Sequence, residues 1–471
     1  MSAAAPSRSP VHRLSDTQVE TTASATPRRK APASAWYALA VLVVVTILGA
    51  VDKIIFVLLT EPMRHSLSLS DTEIGMLQGA GMVLFAGLAT LPLAWLSDRY
   101  DRRWVLAACV VFWSLATALR GASTSFFVLF VATSGLGVGE QGLGPIVNSM
   151  IPDMFPRAQR VLANAVFTVA AILGTGIGSV LGGVIVTLTD TSRHLLPLTM
   201  QALETWRLVF LATALAGLPV TLLVLTIRRV RSTVPTPVAV AVADAVAPQA
   251  TESSDEISFG DFLRSHWRAL GGMMLGIGLG TISVSGIGGW IPILPARRFG
   301  VGAADLGQHV GVAFLIGTVV GVIVGATAMR LAQRFVGAAA ALRLLRFANL
   351  SVALFSIPLL FVRSANDIYA LLALLVVPLI STMVILPNLM QEVCPVHLRA
   401  RVISTFTVAS LPFTIVGPLL MGAASEAMKA SPNGLAQAIV GIALVFGIGG
   451  ALVLRFNEKP FLRLLQSVRT A

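Results

Sequence analysis

Charge is scarce in this 471-residue chain: Asp, Glu, Lys and Arg together make 12% of it, about half the share of an ordinary soluble domain. Lysine occurs four times, and the cysteines number two, Cys109 and Cys394. Two cysteines without metal-ligand spacing exclude a disulfide scaffold and a structural metal centre, and they read as small apolar side chains. The chain lacks a Gly-x-x-x-x-Gly-Lys-Ser/Thr loop, which excludes ATP as the direct energy source. A nucleophile–base pair is also missing from the apolar tracts, so the sequence predicts no catalytic residue, no metal and no cofactor.

What fills the chain is hydrocarbon. Hydrophobic residues make 55% of it and the mean hydropathy is +0.83. Between Trp36 and Phe456 lie twelve apolar stretches, at 36–59, 73–96, 104–121, 125–150, 161–187, 207–227, 268–292, 306–329, 347–363, 367–390, 401–425 and 434–455. A helix needs roughly 20 apolar residues to span the hydrocarbon core of a bilayer. The fold class predicted is therefore an all-α integral membrane protein, with twelve transmembrane helices in two six-helix bundles.

The net charge of +12 would suggest nucleic acid on a soluble protein, but its placement argues for topology. Of 34 Lys and Arg residues, 25 fall in segments on one side of the predicted spans and eight on the other, with Lys53 inside a helix. That is the positive-inside bias, so both termini are expected in the cytoplasm and no nucleic-acid partner is expected. Arg120 counts among the eight on the far side. Residues 1–35 carry no apolar core of signal type and read as a disordered cytoplasmic tail. The longest polar gap divides the helices six and six, giving an N-terminal bundle at 36–229, a cytoplasmic linker at 230–266, a C-terminal bundle at 267–456 and a tail at 457–471. The halves echo each other: Asp153, Pro156 and Arg160 recur as Glu392, Pro395 and Arg399, each 239 residues on. Parallel repeats of this kind build many secondary transporters.

The sharpest short motif is Ala94-Trp95-Leu96-Ser97-Asp98-Arg99-Tyr100-Asp101-Arg102-Arg103. An acid and three arginines crowd into a loop between two apolar spans. Asp98 suits the partly positive end of a neighbouring helix and the arginines, an arrangement that would lock the cytoplasmic side. This loop resembles that of the major facilitator superfamily, with Asp98, Arg99, Arg102 and Arg103 at its charged positions and Ala94 and Asp101 replacing its glycines. The equivalent loop of the second half has Met329 where the acid should stand. Further runs, Leu69–Gly75, Gly137-Val138-Gly139-Glu140, Asp153–Pro156 with Arg160, Trp206-Arg207, and Trp290 with Pro292 and Leu294, resemble the superfamily's spinster-like branch over about 36–456. The resemblance implies secondary transport of a small organic solute by alternating access, with Asp153 and Arg160 joining the loop residues in a cytoplasmic gate.

Asp52, Lys53 and Glu140 stand inside spans, where each charge costs about 2.5–3.5 kcal/mol on insertion scales and asks for a function. The resemblance places Asp52 and Glu140 in a central cavity concerned with proton coupling, and Lys53 beside them as an anion ligand or counter-ion. A pair that only pins helices together is the structural alternative. The branch carries an arginine seven residues before the glutamate; this chain has Thr133, which leaves Lys53 as the nearby cation the sequence offers. Gln78, Ser134, Gln141, Asn164 and Asn388 are candidates for lining the cavity or for interhelical hydrogen bonds. Asn148, Ser404 and Thr405 share that ambiguity. The run Gly174–Gly183 resembles the antiporter motif of the superfamily, with Ser179 in place of its proline, and equally suits close helix packing.

These readings predict a proton-coupled transporter of an organic acid or amphipathic metabolite. They place it as a monomer in the lipid bilayer of a bacterial inner membrane. A drug or metabolite efflux antiporter is the alternative within transport. A membrane sensor on a transporter fold is the alternative outside it, against which the short tails argue.

Overall fold

The computed structural model of the protein describes residues 31–228 and 258–470. The 1–30 part of the expected tail and most of the 230–266 linker lie outside the described residues. Six long helices form the first half: α1 (Ala33–Leu58), α2 (Asp71–Ser97), α3 (Arg102–Gly121), α4 (Phe126–Met154), α5 (Gln159–Thr191) and α6 (Thr205–Leu225). The second half contains α7 (Trp267–Phe299), α8 (Ala303–Val336), α9 (Ala340–Ser356), α10 (Ala365–Glu392), α11 (Arg401–Ala427) and α12 (Gly434–Phe456). By length and composition 303–361 is one continuous apolar stretch. It is two spans because Gly337 takes φ +64°, a left-handed turn that a side chain would oppose, and α9 folds back against α8.

Local chemistry sets several boundaries. Ser70 accepts from Glu73 N while the Glu73 side chain accepts from Ser70 N, a capping box that starts α2; Ser364 and Asp367 do the same for α10. Pro156 and Pro395, the repeat prolines, each follow a helix end and precede a new helical turn. Leu77–Leu84 within α2 is a π-helical stretch, the kind of local widening often found at functional positions.

The packing is pseudo-symmetric. In the first half α1 packs on α5, α3 on α4 and α6, and α2 on α4. In the second, α7 packs on α11, α9 on α10 and α12, and α8 on α10. The same pairings thus recur six helices later. The halves meet where α2 packs on α11 and α5 on α8.

Small residues allow that meeting. A Cβ on Gly75 would lie 2.5 Å from Pro418 O, and one on Gly183 would lie 2.6 Å from Ala304 O. Ser179 donates to Gly307 O across the same seam at 2.9 Å. These contacts sit toward the ends of α2 and α5 remote from the basic loops. At the basic end the same helices are thinly covered: Leu88, Val161 and Val408 are exposed, and α11 is the least buried of the spans. The two halves therefore close on one face and part toward the other.

The expected C-terminal tail forms a helix, Glu458–Thr470. Phe461, Leu464 and Leu465 bury themselves in the second half beside Phe262 of the short helix Phe259–Ser265. Glu458 pairs with Arg343, and His266 meets Ser467 Oγ at 3.0 Å. Every third or fourth position being apolar is enough to dock this segment.

Candidate functional site

Four ionisable side chains converge in the first half. Lys53 and Asp52 come from the last third of α1, Glu140 from the middle of α4. Lys53 Nζ lies 2.7 Å from Glu140 Oε2; the Lys53 side chain is 57% exposed and that of Glu140 6%. Lys53 stands within the first bundle yet is accessible, with Glu140 buried behind it. Asp52 is buried, and its Oδ1 has no hydrogen-bond partner in the protein. Gly49, one turn before Lys53, lets Glu140 Oε1 approach to what would be 3.4 Å from a Cβ.

The fourth member corrects the sequence reading. Arg120 is not a surface cation of the far side: it is fully buried at the end of α3. Its Nε donates to Thr133 Oγ1 at 3.3 Å. Its guanidinium lies over the rings of Phe56 and Phe210, 4.8 and 5.9 Å from their centres, a cation–π setting that shields it. Asp52 and Glu140 both act on it electrostatically. Position 133 thus lacks an arginine but contacts one, delivered from α3, and Lys53 is not the sole nearby cation. Two cations and two acids balance in charge. A signal was present in the sequence: Arg120 ends an apolar span on the side where cations are few.

The polar candidates scatter. Gln78 lies in the π-helical stretch against α7, where a Cβ on Gly289 would be 2.4 Å from its Oε1. Ser134 is buried and donates to Phe130 O of its own helix. Gln141 is half-buried; Asn164 and Asn388 are exposed.

At the basic face, Arg102 Nη1 pairs with Asp153 Oδ2 at 2.7 Å and donates to Ser149 O. Arg160 donates to Phe155 O and Pro152 O. Arg103 pairs with Asp101, and Arg99 lies over the Trp95 ring. The Arg102 and Arg160 contacts join α3, α4 and α5 within the first half. The Asp98 side chain lies outside the described residues.

The opposite face holds a set that the sequence reading missed. Arg297 at the end of α7 reaches Glu61 Oε1 at 2.5 Å and Asp71 Oδ2 at 2.7 Å. Ser425 of α11 donates to Asp71 Oδ2 at 2.5 Å, and Glu426 accepts from Asp71 N at 3.0 Å. One arginine of the second half thus clasps two acids of the first. Among the described residues, the hydrogen bonds that cross between halves lie at this end. An arginine on the cation-poor side, after a helix with few polar residues, needs an acid nearby, and that was the available signal.

Comparison with known proteins agrees with this architecture. The sequence profile of the Major Facilitator Superfamily matches residues 41–418. An MFS-type efflux pump of Mycolicibacterium smegmatis is 30% identical over 309 residues, 65% of this chain and 65% of that protein. Protein spinster homolog 1 of Xenopus laevis is 30% identical over 144 residues, 30% of this chain and 27% of its own length. The chain therefore matches less than two thirds of either relative. Among solved structures, a bacterial homolog of the human lysosomal transporter Spinster superposes with a TM-score of 0.71 at 18% identity. That superposition covers 93% of this chain and 98% of that one, in a structure described as inward-facing and unoccupied. The chain belongs to the major facilitator superfamily, in its spinster-like branch, and has that family's membrane-transporter fold.

Proposed function

We propose that this protein is a proton-coupled secondary transporter of an organic anion, with Lys53 and Glu140 as the coupling pair. The supporting observation is their 2.7 Å ion pair, in which the cation is accessible and the acid is not. A carboxylate or phosphate of the solute, arriving in the cavity, competes with Glu140 for Lys53. Glu140 is then left as a buried acid without its cation. Such a charge is costly, and a proton removes the cost. Solute binding and proton binding thereby favour each other. Arg120 remains behind with Asp52, so the exchange takes place in a site whose other charges stay matched.

The halves supply alternating access. The described conformation is closed by Arg297, Glu61 and Asp71 and parts toward the basic loops. By the positive-inside bias those loops face the cytoplasm, and a bacterial inner membrane fits a chain of this kind. The Asp98, Arg99, Arg102 and Arg103 loop, with Asp153 and Arg160, then forms the rim that closes in the other half of the cycle. Efflux by antiport is the second reading, supported by the name of the M. smegmatis relative. In that case proton and solute compete for the site in place of binding together.

Glu140→Gln tests the mechanism. The amide resembles the protonated acid but neither releases a proton nor pairs ionically with Lys53. In proteoliposomes the variant is expected to exchange labelled solute for unlabelled solute while losing accumulation driven by a pH gradient. Accumulation with normal pH dependence would place the coupling group elsewhere.

A further inference from the structure

Just outside the Arg297 clasp lies a cavity of about 570 Å³ on the face remote from the basic loops, within the size range of small-ligand sites. Its charged lining is Arg64, Arg297, Arg298, Lys429, Asp71 and Glu426. The acids are already used. Asp71 Oδ1 accepts from Arg297, Asp71 Oδ2 from Arg297 and Ser425, and the Glu426 oxygens from Lys429 Nζ and Asp71 N. The donors are not exhausted. Arg298 makes no ion pair among the described residues, and its Nη1 is a buried donor without a partner. Lys429 uses one of its three donors, on Glu426. Arg64 gives Nε to Glu61, keeping Nη1. The first residues of α12, Gly434, Leu435 and Ala436, also line the cavity, and their N-cap, Asn433, supplies no side-chain cap. The cavity is therefore lined by four cations against two acids that already have partners, with Leu69, Leu294 and Leu435 as its apolar lining.

We propose that this vestibule binds an amphipathic organic anion through its carboxylate or phosphate, held by Arg298 and Lys429 with the apolar part on the leucines. The site is separate from the Lys53–Glu140 cavity, on the far side of the closed seam. It captures the anion where the halves next open, and it borders the clasp through Arg297. The inference rests on the proposed function only in taking the ligand to be the transported class. A free solute and an anionic lipid headgroup share this chemistry.

Isothermal titration of the full-length protein in phosphatidylcholine nanodiscs tests it, with octyl phosphate as probe and octanol as control. Octyl phosphate is expected to bind saturably and octanol not to bind. In a Lys53→Gln background, which removes the accessible cation of the Lys53–Glu140 site, Arg298→Gln/Lys429→Gln is expected to weaken binding at least tenfold. Neither Arg298 nor Lys429 is an ion-pair partner of Glu61 or Asp71, and a melting curve checks the folding of each variant. Weaker binding in nanodiscs containing phosphatidylglycerol identifies a lipid headgroup as occupant, and unchanged binding identifies a free anion. No octyl phosphate binding to folded Lys53→Gln protein would overturn the proposal. So would binding that survives Arg298→Gln/Lys429→Gln in the Lys53→Gln background. A failure of the Glu140→Gln experiment leaves this result standing, because the two sites are read by different substitutions.

Discussion

Arg120 shows how much a single side chain can carry. A fully buried guanidinium is tolerated only where acids, aromatic faces or hydrogen-bond acceptors surround it, and here it has all three kinds of neighbour. Removing it leaves Asp52 and Glu140 facing Lys53 alone. Arg120→Met is therefore expected to lose about 3–5 kcal/mol, the usual cost of breaking a buried charge set on one side. Adding Asp52→Asn removes the acid left uncompensated, so the double variant should regain part of the loss. Thermal unfolding in detergent measures both. Equal stability of Arg120→Met and the parent protein would show that the guanidinium is not the counter-charge. The sequence made the three other members of this cluster legible, because a charge inside an apolar run is conspicuous by itself. Arg120 was obscured because it closes a span, where an arginine is ordinary, and only the packing of α3 against α4 turns it inward.

At the scale of elements, the seam between α5 and α8 explains the glycine run. Gly176 and Gly183 meet Leu315 and Ala304 closely enough that a Cβ would intrude, and Ser179 bonds across to Gly307. The antiporter-like spacing thus has a packing role in this conformation. Ser179→Ala removes one buried hydrogen bond and should cost about 1 kcal/mol. Gly183→Val forces the helices apart and should cost about 1–3 kcal/mol, the usual range for overpacking. The expected order, read from melting temperatures, is Gly183→Val below Ser179→Ala below the parent chain. If the two variants matched the parent, the close approach would not be what holds the seam. The twelve spans themselves were legible from hydropathy, since the bilayer demands about 20 apolar residues each. Their ends were less so. α8 runs to Val336, beyond the apolar stretch at 306–329, because the arginines near its end, Arg330 and Arg334, are good helix formers that face water. The helix 458–470 was read as a tail, since its apolar residues are too few for a span and show their purpose only against the second half.

For the whole molecule, orientation and conformation are separate questions with separate tests. The basic loops are expected in the cytoplasm. A maleimide that cannot cross membranes should label Ala430→Cys in intact cells and leave Lys459→Cys untouched, and the reverse pattern would invert the topology.

The conformational balance depends on the clasp. Arg297 is the cation that Glu61 and Asp71 share across the halves, and the Asp71 side chain is only 6% exposed. Truncating one partner of such a pair costs about 2–5 kcal/mol. That cost falls on the closed state alone, because opening this face separates the pair anyway. Arg297→Gln is therefore expected to shift the equilibrium toward opening by about 30-fold or more. Spin labels at His65→Cys and Ala430→Cys, one on each half at this face, report the change. Their distance distribution should gain a longer component in Arg297→Gln and stay short in the parent protein. A distribution unchanged by the substitution would transfer the closing role from the charges to the glycine contacts of α2 with α11 and α5 with α8, which Arg297→Gln leaves intact.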